Sequence, residues 1–233
     1  MNSRNYFYDE GGVYIESMAN MAEQYGIGQY RYPHNYELVD KAFTVEAGGR
    51  EYTLDFKCRV NVLFNGKLVE YECIKCAPGL YFVRFGFDVA AIDLNNSAVT
   101  LILEGDWVFG TIKGAEGAAA HSCAGDEMVG TKVRWVLGCG RYVNQEFASD
   151  NTVKAAWSPR EEKIAENAYK AAKLGGPYYL VDMKSDILKN VCAPFFTDHV
   201  IMLQDYDRCM TFGCVFGKGF DPIMITGYAK FLD

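Results

Sequence analysis

Two stretches of this chain repeat one pattern of short β-forming runs divided by turn residues, and the repetition limits the fold more than any other feature. LVDKAFTVEAGGREYTLDF lies over MVGTKVRWVLGCGRYVNQEF, with Val39, Phe43, Val45, Gly48 and Tyr52 facing Val129, Val133, Trp135, Gly138 and Tyr142 at an offset of 90 (142 − 52). Farther on, GLYFVRFGFD lies over PYYLVDMKSD and pairs Tyr81, Val83 and Asp88 with Tyr179, Val181 and Asp186 at an offset of 98 (179 − 81). VTLILEGDWVFG and RCMTFGCVFG both close on Val-Phe-Gly, at Val108-Phe109-Gly110 and Val215-Phe216-Gly217. Two copies of one β unit are therefore expected.

Within the first copy, runs such as REYTLDF, LVEYECIKC, LYFVRFGF and AVTLILE alternate with Gly48-Gly49, Asn65-Gly66, Pro78-Gly79 and Asn95-Asn96. These pairs supply the positive or preset φ that a reversing chain needs, so the pattern predicts an antiparallel meander. About eight short strands suit a closed up-and-down barrel, which leaves no edge exposed. A repeat of such units admits two barrels or one larger shared barrel; with seven or eight runs in each half, two barrels are the expected arrangement.

The organisation read from this is a helical segment over 1–37, a first barrel over 38–113, a linker over 114–127 and a second barrel over 128–233. The first helix is expected in VYIESMANMAEQYG, where Val13, Met18, Met21 and Tyr25 approximate a helical stripe before Gly26. A second, inserted into the second barrel over 159–174, follows from the Ser158-Pro159-Arg160-Glu161 start and the run IAENAYKAAKLGG. The fold class expected is all-β, tandem small antiparallel barrels with these two helices.

Charge and composition narrow the function. The net charge of −7 comes from acids spread along the chain, so no basic face offers itself to nucleic acid or to anionic lipid. No run of 18 apolar residues occurs and the N-terminal segment lacks a basic-then-apolar leader, which predicts a cytoplasmic protein with no membrane partner. The eight cysteines are scattered and are expected to be reduced. Cys73 and Cys76 form a C-x-x-C in a strand-like run with no second pair, a spacing that ordinary packing explains better than a metal site or a redox pair. No nucleophile elbow, phosphate-cradling glycine loop or dinucleotide fingerprint is present in a strand-to-helix setting, so a role without cofactor or metal is expected.

Strand–Gly-Gly–strand followed by EYECIK, GLYFVRF and a later VTLIL resembles the calycin-like proteins related to molybdenum-cofactor biosynthesis protein F, from Leu38 to the C-terminus. That resemblance implies tandem lipocalin-type barrels. VGTKVRWVLGCGRYVNQEFASDNTVKAAW is also similar to the opening of bacterial phenolic acid decarboxylases, calycin-type barrels that use tyrosines, an arginine and a glutamate. Trp135 and Leu137 stand where that family's paired tyrosines would be, and Ser185 or Asp186 where its glutamate would be, so the fold is expected and that decarboxylation is not.

The expected function is binding of a small apolar or aromatic molecule in a barrel lumen, with cofactor-independent acid–base catalysis of lyase or isomerase type as its fuller form. A carrier without catalysis is the alternative, and a module whose barrels are filled by their own aromatic rings is a third reading. Self-association into a homo-oligomer stays open. Trp135 is expected to stack on the ligand, with Arg134, Tyr142 and Tyr179 orienting it and with His199 or Asp186 moving a proton. Strand alternation places Arg134 and Asp182 either in solvent or in a polar lumen, and an aspartate beside His199, Asp198 or Asp186, would tune its imidazole.

Overall fold

The computed structural model describes residues 33–137, 142–157, 164–184, 196–218 and 221–231, together with two short strands nearer the N-terminus. Those two, β1 (Phe7–Tyr8) and β2 (Tyr14–Ile15), pair antiparallel. Tyr14 and Ile15 are thus strand, where the sequence predicts the first helix; the rest of that helix lies outside the described residues.

The first barrel is made by β3 (Ala42–Ala47), β4 (Arg50–Phe56), β5 (Asn61–Phe64), β6 (Lys67–Ala77), β7 (Leu80–Phe85), β8 (Asp88–Asp93), β9 (Ala98–Leu103) and β10 (Asp106–Ile112). Each strand pairs antiparallel with the next, and β10 closes the ring on β3. Two hairpins show how the turn residues fix this meander: Gly48 and Gly49 take φ of 57° and 76°, and Asn65 and Gly66 take 47° and 80°. Positive φ at both central positions gives the turn whose twist matches that of the flanking strands.

After the short β11 (Ser122–Cys123), the second barrel consists of β12 (Lys132–Leu137), β13 (Tyr142–Phe147), β14 (Thr152–Trp157), β15 (Ala165–Gly175), β16 (Tyr178–Lys184), β17 (Phe196–Asp205), β18 (Met210–Lys218) and β19 (Ile223–Phe231). Pairing of β12 with β19 and of β15 with β16 closes it, and β11 adds to β15. The chain divides into two compact units, Tyr32–Ser122 with Lys173–Gly176 and Cys123–Ala172 with Pro177–Asp233, which hold the first and second barrels respectively.

The inserted helix is corrected to strand: Ala165–Gly175 is β15, and Pro159 and the residues up to Lys163 lie outside the described residues. The local preference of Ala, Glu and Lys for helix is only a few tenths of a kcal/mol per residue, roughly. Against it stands an open barrel with two unpaired edges, where each unmet backbone group costs about 1–3 kcal/mol. The repeat itself carried this answer, because β15 stands 98 residues after β6 at both its ends (165 − 67 and 175 − 77).

Register corrects two further alignments. Val45 pairs with Tyr52 in the first barrel, but Trp135 pairs with Val143 in the second, because the β12–β13 hairpin is one residue longer. Tyr142 is therefore the counterpart of Glu51, not of Tyr52, and a slip of one residue turns a side chain to the opposite face. The two Val-Phe-Gly runs also lie in different places, the first in β10, the last strand of its barrel, and the second in β18, the last but one.

Elsewhere the copies agree to the level of single bonds. Tyr71 donates its hydroxyl to the Cys58 carbonyl at 3.0 Å and meets Phe56 edge-on at 5.0 Å. Tyr169 donates to the Ser149 carbonyl at 2.8 Å and meets Phe147 edge-on at the same 5.0 Å. A turn before the first strand of each barrel buries Leu38 in one and Met128 in the other, held by Lys41 N–H to the Leu38 carbonyl and Thr131 N–H to the Met128 carbonyl.

Among the described residues no helix is long and apolar enough to cross a membrane.

Candidate functional site

Alternation along β12, β13, β16 and β17 turns Trp135, Gln145, Met183, Met202 and Gln204 toward one another inside the second barrel, with Tyr206 just past the end of β17. Trp135, Gln145 and Gln204 are fully buried. The Trp135 indole N–H donates to Gln145 Oε1 at 2.9 Å, and Gln204 Nε2 donates to the same oxygen at 3.0 Å. Tyr206 in turn donates its hydroxyl to Gln204 Oε1 at 2.8 Å. Two donors on one oxygen fix the orientation of the Gln145 amide, since a flipped amide would set its NH2 against both of them. Among the described residues the Gln145 NH2 then faces only thioethers, Met183 Sδ at 3.7 Å and Met202 Sδ at 4.0 Å, which are weak acceptors.

The first barrel shows what the fold requires at these places. Matching registers set Trp135 on Val45 and Gln145 on Leu54. They likewise set Gln204 on Ile92, and two residues farther on Tyr206 stands on Leu94. Four apolar positions of one copy are thus a hydrogen-bonded chain in the other. Bulk is removed nearby: Phe64, Leu101 and Ile112 are matched by Ala155, Gly213 and Ala229. Burying an amide without full hydrogen bonding costs about 1–3 kcal/mol, so a network that the sister barrel dispenses with is not explained by folding alone.

Toward the rim, the Tyr179 hydroxyl donates to Glu127 Oε2 at 2.9 Å, and the Tyr179 ring meets Tyr206 edge-on at 5.7 Å. Tyr206 also meets Trp135 edge-on at 6.0 Å. Burial, with Tyr179 and Tyr169 nearby, raises the Tyr206 phenol well above its ordinary value, so it stays a neutral donor across the physiological range. Glu127, Tyr179, Tyr206, Gln204, Gln145 and Trp135 form one path from rim to interior.

Of the residues singled out in the sequence, Trp135 and Tyr179 belong to this path. Arg134 and Tyr142 do not: they lie on the strand face opposite Trp135, with the guanidinium 4.1 Å over the Tyr142 ring and its Nε donating to Asn144 Oδ1 at 2.8 Å. The expectation that these two orient a ligand in the lumen is corrected by strand alternation for Arg134 and by the register slip for Tyr142. His199 also faces away from the interior, edge-on to Phe216 at 4.8 Å. The aspartate beside it is Asp182, buried, with Oδ1 3.2 Å from His199 Nδ1, near enough to pair with a protonated ring but not aligned as a hydrogen bond. Asp186 lies outside the described residues, and of the Asp198 side chain nothing is described.

Gln145, Gln204 and Tyr206 are the residues that sequence reasoning missed. Their signal was the contrast with Leu54, Ile92 and Leu94, visible once the halves are set in the right register.

A second polar grouping lies in the unit of the first barrel. His121, in the segment read as a linker, shares a hydrogen bond between its Nδ1 and Thr100 Oγ1 at 2.8 Å, and its Nε2 stands 4.0 Å from Asp93 Oδ2. Burial pushes the Asp93 carboxyl up, but the nearby His121 ring and hydrogen bonds from Asn96 and Asn95 outweigh it and leave the group below its ordinary value. A cleft of about 460 Å3 borders His121, Asn95, Asn96 and Glu116. Thr100 is wholly buried, so this trio has the look of a nucleophile-and-base set without an accessible nucleophile.

Cys73 packs in the core of the first barrel and Cys76 lies at a register shift between Lys75 and Ala77, and among the described residues no group of three metal-ligating side chains comes together. No family model matches the chain, and no curated protein matches it.

Proposed function

We propose that the protein binds a small aromatic or apolar organic molecule in the interior of its second barrel, as a member of the calycin-like class to which its motifs bear resemblance. One observation carries this reading: Val45, Leu54, Ile92 and Leu94 of the first barrel are matched by Trp135, Gln145, Gln204 and Tyr206. Flat aromatic surface with a few fixed polar groups is what a small-molecule site is made of. The tandem eight-stranded barrels support the calycin placement. Free thiols at Cys58, Cys73, Cys123 and Cys209 support a reducing compartment such as the cytoplasm.

Binding without turnover is the stronger form of the proposal. A lyase or isomerase would need a proton carrier at the ligand, and His199 and Asp182 stand on the face away from Trp135. The test is titration of the full chain with N-phenyl-1-naphthylamine, a neutral aromatic whose fluorescence rises in an apolar site. Saturable binding is expected, and it should weaken about tenfold or more when Trp135→Val and Gln204→Ile restore the first barrel's residues. Absence of saturable binding, or binding indifferent to both substitutions, overturns the proposal.

A further inference from the structure

Resting on that reading, we infer that the ligand of the second barrel is a neutral, planar molecule carrying a hydrogen-bond acceptor such as a carbonyl oxygen or ring nitrogen, received by the Gln145 amide NH2. Three features of the interior lead to this class. The oxygen side of Gln145 is saturated by Trp135 and Gln204, which leaves the amide only donors to offer. Those donors meet the sulfurs of Met183 and Met202 at 3.7 and 4.0 Å, contacts that a carbonyl oxygen would replace with a full hydrogen bond. Unbranched methionines are also the side chains that move aside at least cost, and they cover an aromatic guest with polarisable surface.

The charge follows from what surrounds the amide. Among the described residues the second barrel buries no lysine, arginine or histidine, and Arg134 lies on the opposite strand face, so a carboxylate at the Gln145 amide would be buried without a countercharge. Trp135 and Tyr206, 6.0 Å apart and edge-on, offer one ring face and one ring edge to a flat molecule. Their indole and phenol hydrogens already go to Gln145 and Gln204, so the Gln145 NH2 is the donor left to discriminate.

Isothermal titration of the full chain with tetralin, 1-tetralone and 1-naphthoate tests this, because the three share ring size and differ in acceptor and charge. 1-Tetralone is expected to bind about tenfold more tightly than tetralin, the scale of one buried hydrogen bond, and 1-naphthoate more weakly than either. In Gln145→Leu, and again in Gln145→Met, the preference for the ketone should fall below about twofold while tetralin still binds. Equal affinity for tetralin and 1-tetralone, tightest binding by 1-naphthoate, or a ketone preference that survives both substitutions overturns the inference and leaves the barrel site standing. Failure of all three to bind the folded chain overturns the site itself.

Discussion

Tyr179 and Glu127 are joined at the rim of the second barrel by a 2.9 Å hydrogen bond, and the same bond joins their counterparts Tyr81 and Glu37 in the first at 2.7 Å. Both halves keep the same two residue types in the same geometry, so the bond belongs to the fold and not to the ligand. Tyr179→Phe and Tyr81→Phe should each lower stability by about 0.5–1.5 kcal/mol in urea unfolding, and Tyr179→Phe should leave probe affinity within about twofold.

The rim of the first barrel sets a pH dependence. Hydrogen bonds from the Lys75 ammonium, at 2.7 and 2.8 Å, and from the Tyr81 hydroxyl hold the Glu37 carboxyl down at about 2, against the ordinary 4.5. A folded-state value below the unfolded one means stability that is present above pH 4.5 and is lost as the pH falls toward about 2. Lys75→Met should return Glu37 toward its ordinary value in a carbon-detected NMR titration and flatten the stability curve across that window.

Inside the second barrel, single and combined substitutions should behave in opposite ways. Gln204→Ile alone removes the Gln204 acceptor from the Tyr206 hydroxyl and one donor from Gln145, and is expected to cost about 1–3 kcal/mol. Adding Trp135→Val, Gln145→Leu and Tyr206→Leu, which completes the apolar set of the first barrel, should recover most of that loss while probe binding stays weakened. Denaturant midpoints of the single and quadruple variants decide it.

On the outer face, Arg134→Ala removes a cation–π stack on Tyr142 and a bond to Asn144. About 0.5–1 kcal/mol of stability should go with it, and probe affinity should not change. His199→Asn should likewise leave probe affinity unchanged, since the ring pairs with Asp182 and Phe216 away from the interior.

Fold class was legible because turn chemistry and duplication are both local in sequence. Asn65-Gly66 marks a hairpin by residue type alone, and Tyr81 and Tyr179 fix the offset of 98 from the sequence. β15 was hidden by its own composition: Ala165–Gly175 reads as helix in isolation and becomes strand because β14 and β16 need a partner between them. The site was harder, since strand period two makes every assignment hostage to register. One extra residue in the β12–β13 hairpin moved Tyr142 out of the interior, and the same slip concealed that Gln145 stands where Leu54 does. Trp135, on the strand before the slip, keeps its alternation and packs in the interior.

The claim that the second barrel alone is built around a guest is tested most directly by its methionines. In the full chain labelled with 13C at the methionine methyls, 1-tetralone should shift the Met183 and Met202 signals, which flank Gln145, and leave Met210 and Met224, on the opposite strand face, in place. Signals of Met183 and Met202 that stay fixed at saturating 1-tetralone, or shifts confined to Met210 and Met224, would contradict the account.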